Sequence, residues 1–135
     1  MRDRGWWCLA ALSGGVAVMA GAFAAHALQD QLPERLLAAF EIGVRYQMWH
    51  TLAMLGVLAW RASHPRRGFG IVLGLWAAGV LLFSGSLYAM ALTGLRGLGM
   101  VTPFGGVLMI AGWLTLAVGA LRAGRDDAQS ESGMA

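Results

Sequence analysis

FGIVLGLWAAGVLLFSGSLYAMAL, from Phe69 to Leu92, is the stretch that decides the fold. It holds no charge and no proline. A helix of that length covers the roughly 30 Å of hydrocarbon in a bilayer, and Thr93-Gly94 closes it. Downstream, a Gly-rich loop from Gly94 to Val101 leads to Thr102, a natural N-cap, with Pro103 at the first helical position. The helix opened there is expected to span from 103 to 121.

Upstream, Asp30 and Pro33 can open a helix with Glu34 in its first turn, where negative charge suits the dipole. No breaker follows until Ser63-His64-Pro65. From Glu34 to Trp60 such a helix reaches roughly 40 Å. Only residues 41–60 are apolar enough to be submerged, so its first two turns should project beyond the hydrocarbon. A further apolar run covers residues 6–25. Arg2 and Arg4 followed by Ala22-Phe23-Ala24 could also mark a secretory signal peptide. The length of the run and its small residues at packing spacing favour a retained helix.

Composition agrees with this reading. The chain of 135 residues is 58% hydrophobic and 13% charged, with a mean hydropathy of +0.61. Soluble domains devote about a quarter of their residues to charge, so too little polar surface remains here to cover a body in water. The expected fold is all-α: a polytopic membrane protein, one four-transmembrane-helix bundle over 1–121, with a polar tail at 122–135 expected to be disordered. The pI near 10.0 does not indicate nucleic acid. There is no lysine, and the arginines flank apolar runs, a pattern of membrane topology. Cys8, alone, cannot form an internal disulfide.

Arginine placement sets the expected orientation. With four crossings, Arg2, Arg4, Arg61, Arg66, Arg67, Arg122 and Arg125 share one side, against Arg35, Arg45 and Arg96 on the other. The first set belongs in the cytoplasm, which places both termini there and the protein in the bacterial cytoplasmic (inner) membrane.

Small residues allow helices to approach closely in lipid. Ala17 and Gly21 in the first span, Gly74, Ala78 and Gly85 in the third, and Gly105 and Gly112 in the fourth are the expected packing positions. Polar residues concentrate in the outer halves of the spans. They comprise His26, Glu41, Arg45, Tyr46, Gln47, His50, Ser84, Ser86, Tyr88 and Thr102, while the inner halves hold little beyond Ser13 and Thr115. Tyr46, Gln47 and His50 share one helix face, and Ser84 and Tyr88 share another. Glu41 and Arg45, four apart with the acid first, are in favourable order for an ion pair.

Histidines inside spans are candidates for function. A metal site needs three or four ligands, and only His26 and His50 could meet, with Glu41 as a weak third. No metal and no cofactor is therefore expected. Such a histidine more often bonds to Tyr, Ser or a carbonyl and fixes helix register. Ser84 could face His50 across two helices, but no acid stands behind the histidine and no nucleophile elbow surrounds the serine. No catalytic residue is assigned, and the chain is not expected to be an enzyme.

Several stretches carry a resemblance. They are Gly21-Ala22-Phe23-Ala24-Ala25-His26-Ala27-Leu28, Gly43-Val44-Arg45-Tyr46-Gln47-Met48-Trp49-His50, Phe83-Ser84-Gly85-Ser86-Leu87-Tyr88, Ala91-Leu92-Thr93-Gly94, and Thr102-Pro103-Phe104-Gly105-Gly106 with Gly112-Trp113. In this order, over about residues 14 to 120, the chain resembles a family of small membrane proteins classed as of unknown function. That family includes the bacterial YgdD- and YwdK-like proteins and eukaryotic transmembrane protein 256. Ala24 stands where the family pattern usually has glycine. The resemblance implies a four-span bundle in the bacterial membrane and assigns no activity.

Three readings of function follow. The first is a non-enzymatic accessory protein or subunit, or a lipid-binding bundle, with membrane lipid and a homo-oligomer or larger membrane complex as partners. The second is a small oligomeric transporter or channel, which must explain an apolar inner half. The third is a metal-binding protein or intramembrane enzyme, limited by the missing ligands and triad.

Overall fold

The computed structural model describes residues 3–63 and 68–132, with side chains through Arg122. Arg2, Arg66 and Arg67 of the arginine count, together with His64, lie outside the described residues, as does the Arg125 side chain. Four helices follow in chain order: α1 (Arg4–Phe23), α2 (Glu34–Ser63), α3 (Phe69–Thr93) and α4 (Thr102–Ser132). No strand occurs among the described residues.

The ends of these helices have local causes. α1 runs on into a π-helical turn, Ala24–Leu28. Leu36 and Leu37 then bond through their N–H groups to the Pro33 carbonyl, 2.8 and 3.1 Å away, which starts α2. α3 stops at Gly94, whose φ of 73° is left-handed and whose N–H reaches the Met90 carbonyl at 2.9 Å. Glycine takes that conformation without the penalty a side chain brings. The loop after Gly94 contains a 3₁₀ turn, Arg96–Met100. α4 does not end near Leu121; it continues to Ser132, so the segment expected to be disordered is helical that far. After Pro103 the sequence has no proline, and Ala, Arg and Gln through this stretch favour helix.

Neighbouring helices pack antiparallel: α1 on α2, α2 on α3, α3 on α4. Contacts fix the register. Asp3 pairs with Arg61 at 3.3 Å, Ser13 meets Thr51, and Phe23 meets Phe40. Along the next interface Phe69 packs on Trp60 and Tyr88 on Phe40. One end of the bundle, called proximal below, carries Asp3, Arg61 and Phe69; the distal end carries Phe23, Phe40 and Thr102.

Three segments are long and apolar enough to cross a membrane on their own composition: Arg4–Leu28, Phe69–Thr93 and Arg96–Arg122. α2 differs because Glu41, Arg45, Gln47 and His50 interrupt it. It nevertheless lies beside α1 from the Asp3–Arg61 pair to the Phe23–Phe40 contact, and so covers the same thickness.

The closest approach is between α3 and α4. A Cβ on Gly105 would overlap the Phe83 nitrogen and the Gly79 carbonyl oxygen. One on Gly112 would come within 2.5 Å of the Trp76 indole. Ala17 is buried, and a Cβ on Gly21 would meet Val44 at an ordinary 3.5 Å. The other expected packing positions behave differently. A Cβ on Gly74 or Gly85 would meet nothing within 4 Å, and Ala78 is exposed. α4 packs on the adjacent face of α3, the one bearing Gly79, where a Cβ on Gly79 would meet Met109 and the Gly105 carbonyl oxygen.

The buried apolar residues form two clusters. The proximal one contains Met54, Leu58, Leu73, Trp76 and Met109, and the distal one Ala24, Leu28, Phe40 and Ala91. Polar side chains fill the level between them.

Candidate functional site

The middle of the bundle holds a hydrogen-bonded ladder across three helices. Antiparallel packing of α1 on α2 brings the hydroxyls of Ser13 and Thr51 to 2.7 Å. One turn along α2, the Gln47 amide nitrogen donates to the Ser13 carbonyl at 2.9 Å. The Tyr88 hydroxyl of α3 donates to Gln47 Oε1 at 2.8 Å. Beside them Ser84 donates to the Gly43 carbonyl at 2.7 Å. That contact is possible because Gly43 has no Cβ; one would lie 2.8 Å from the Tyr88 ring.

His50 belongs to a second group, between α2 and α4. Trp113 Nε1 donates to His50 Nε2 at 3.1 Å, and His50 Nδ1 lies 2.8 Å from the Tyr46 carbonyl. An indole N–H can only donate, so Nε2 must accept and Nδ1 carries the proton. Both bonds are satisfied by one neutral tautomer. The Trp76 ring lies edge-on at 6.0 Å, and its own N–H goes to the Met109 carbonyl at 3.2 Å. Tyr46 contributes its ring, packed on Phe83 at 4.7 Å and stacked near His50.

The ten residues expected to cluster are thus distributed over several places. Gln47, Ser84 and Tyr88 come together around α2 and α3; His50 faces Trp113 of α4, and the Tyr46 ring lies beside it on Phe83 of α3. Ser86 and Thr102 form a separate pair at 2.7 Å. Since the Ser86 proton goes to the Phe83 carbonyl, Thr102 donates to Ser86. Thr102 spends its hydroxyl there, across the α3–α4 contact, and not on its own helix. His26 is exposed in the π-helical turn at the distal end, apart from buried His50. Glu41 and Arg45 are both exposed and form no ion pair with each other; among the described residues the ion pair is Asp3–Arg61. Ser84 does not reach His50, because its proton is spent on Gly43.

Ser13, Thr51, Trp76 and Trp113 were absent from the expected cluster. Thr51 follows Gln47 by four residues and so shares its face, a usable signal. An indole in a membrane needs an acceptor, and His50 stands at the depth where Trp113 must find one.

Chemically this polar core is closed. Among the described residues no buried side-chain nitrogen or oxygen lacks a partner, and no three His, Cys, Asp or Glu side chains converge. The open feature is a groove of about 520 Å³ between α1 and α3, floored by α2. Leu9, Leu12 and Val16 form one wall, and Ala78, Leu81 and Gly85 the other. Gln47, Ser13 and Tyr88 line its floor with their polar atoms already bonded.

Residues 20–106 match the family model described as Protein of unknown function (DUF423). The chain belongs to that family. Relatives extend the match over nearly the whole chain. A UPF0382 membrane protein of Haemophilus influenzae is 42% identical over 114 residues, 84% of this chain and 91% of that protein. One from Staphylococcus saprophyticus is 41% identical over 116 residues, 84% of this chain and 94% of its own. The UPF0382 inner membrane protein YgdD of Escherichia coli K12 is 39% identical over 131 residues, covering 97% of this chain and all of its own. No solved structure matches. The ladder, the Trp113–His50 bond and the groove therefore describe a DUF423 membrane bundle, and the residues quoted for the resemblance supply much of its interior.

Proposed function

We propose that this protein is a non-enzymatic accessory bundle of the bacterial cytoplasmic membrane that holds a lipid acyl chain in the groove between α1 and α3. One observation carries the reading: the polar side chains of the core bond to one another, and the groove between α1 and α3 is apolar. A catalytic or transport site keeps hydrogen-bonding groups free for a substrate. Here those groups bond to one another, and the level from Thr51 to Arg61 is packed with Met54, Val57 and Leu58 against Leu73 and Trp76. A hydrocarbon chain, by contrast, asks nothing of Gln47 or Tyr88. Leu12 and Leu81, 71% and 72% exposed, border the groove on the lipid side and leave it open to a chain entering sideways.

Native mass spectrometry of protein extracted in mild detergent should detect bound phospholipid, and Gly85→Leu, which puts a branched side chain into the groove at a position where a Cβ meets nothing within 4 Å, should remove most of it. Equal lipid retention by Gly85→Leu sinks the acyl-chain reading. Solute flux through proteoliposomes of the purified protein would replace it with transport. The same reading places the proximal end and both termini in the cytoplasm, on the strength of the arginine count. A reporter active only in the cytoplasm, fused after Ala135, should therefore be active.

A further inference from the structure

α2 buries Gly43, Gln47, His50 and Met54 against its neighbours and turns the opposite face outward. That outward face carries Glu41 and Arg45 one turn apart, then Leu52, Gly56 and Ala59, all exposed. It is an unusual face to leave against lipid. α2 is the one helix of the four not apolar enough to span by composition, and among the described residues neither charge on its back has an ion-pair partner. Arg45 adjoins Val44, which faces Gly21, and so stands inside the distal ends of α1 and α3; Glu41 adjoins Phe40 and stands one turn further out, at the level of Phe23. An ionised group that hydrocarbon reaches needs a counter-charge.

A phospholipid phosphate would satisfy Arg45 but repel Glu41. A surface presenting one acid and one base, a turn apart in the same order, satisfies both, and a second copy of this chain has that surface. We propose that the outward face of α2 is a self-association surface, on which two copies pack about a two-fold axis along the membrane normal with Glu41 of each facing Arg45 of the other. Both copies insert in the same direction, so the two α2 helices run parallel and the acid and base are offset by about 6 Å along the axis. An arginine side chain bridges that distance, and the symmetry makes both contacts at once. Deeper in the membrane, Gly56 and Ala59 let the helices approach closely; a Cβ on Gly56 would meet nothing within 4 Å in a single copy. Leu52 meets its own counterpart. This face lies opposite the groove, so the pairing holds whether or not the groove binds lipid.

The test is disulfide trapping in native membranes. In a Cys8→Ala background, Leu52→Cys should give a covalent dimer on mild oxidation. Leu114→Cys, on an equally lipid-exposed position of α4 (63%), should not. Adding Glu41→Arg or Arg45→Glu to Leu52→Cys sets like charges against like and should lower trapping about tenfold, two attractive contacts being replaced by repulsions. Co-expressed under different tags, the two variants should trap each other at the level of the parent, because the acids of one copy then face the arginines of the other. An ion pair within one chain cannot produce that recovery. If either variant fails to accumulate, Glu41→Gln and Arg45→Gln should each reduce trapping severalfold. Trapping of Leu52→Cys no stronger than Leu114→Cys, no preference for the mixed pair, or unchanged trapping in the glutamine variants would overturn the proposal. So would loss of bound phospholipid in Arg45→Glu with dimer trapping intact, which assigns Arg45 to a headgroup.

Discussion

At the scale of single residues the polar core is governed by the absence of water: each donor and acceptor in the bilayer must find a partner in the protein. Gln47 shows how much one side chain can tie together, joining the α1 backbone through Ser13 and α3 through Tyr88. Gln47→Leu leaves the Tyr88 hydroxyl without its acceptor and separates three helices at one point. It should cost about 1–3 kcal/mol, measured by steric-trap unfolding in bicelles, whereas Tyr88→Phe, which removes one bond and leaves a smaller unmet need, should cost about 0.6–1.7 kcal/mol. Equal effects would mean that Gln47 acts through packing alone. His50 depends on its neighbour in the same manner. Trp113→Phe keeps the ring but removes the donor to Nε2, and should destabilise by about 0.6–1.7 kcal/mol, with the indole-specific loss absent in a His50→Leu background. Additive losses in that double variant would show that the bond contributes nothing. The sequence identified Gln47, His50 and Tyr88 as polar residues in apolar surroundings. It did not show that they divide between two interfaces, because that division depends on which side of α2 each neighbour takes.

At the scale of helices, glycine position matters more than glycine number. Gly79, Gly105 and Gly112 lie where α3 and α4 touch, and any side chain on Gly105 would press on backbone atoms that cannot swing away. Gly105→Ala should therefore destabilise by about 1–3 kcal/mol, as overpacking does. Gly74→Ala, with open space around it, should be neutral or slightly stabilising through helix propensity. Thermal unfolding in detergent checks both, and a neutral Gly105→Ala would refute the close contact. The four-helix plan was legible because apolar length and the arginine pattern are properties of one strand of sequence. The choice between the Gly74–Gly85 stripe and the Gly79 face was not. Both stripes have packing spacing, and only the partner's glycines, Gly105 and Gly112, select the second. The helical continuation past Leu121 escaped for a related reason: polarity marks where a helix leaves the membrane, not where it stops.

For the whole molecule, α2 is the helix that connects everything and the least able to enter a membrane alone. Gln47 and His50 point inward to Ser13, Tyr88 and Trp113, so the cost of submerging them falls only once α1 and α3–α4 are beside it. Charged residues at the centre of an isolated helix cost about 2.5–3.5 kcal/mol each on insertion scales. Nearer the interface Glu41 and Arg45 cost less, but Gln47 and His50, unbonded, add to the total. Placed singly in a host protein and scored by glycosylation mapping, residues 69–93 should insert almost completely, while residues 34–63 should insert in a minor fraction of chains. Residues 4–63 together, which restore the Ser13 contacts and the Asp3–Arg61 pair, should bring α2 into the membrane in most chains, and the full chain in nearly all. Efficient insertion of residues 34–63 by themselves would show that the interior bonds are a consequence of crossing and not a condition for it.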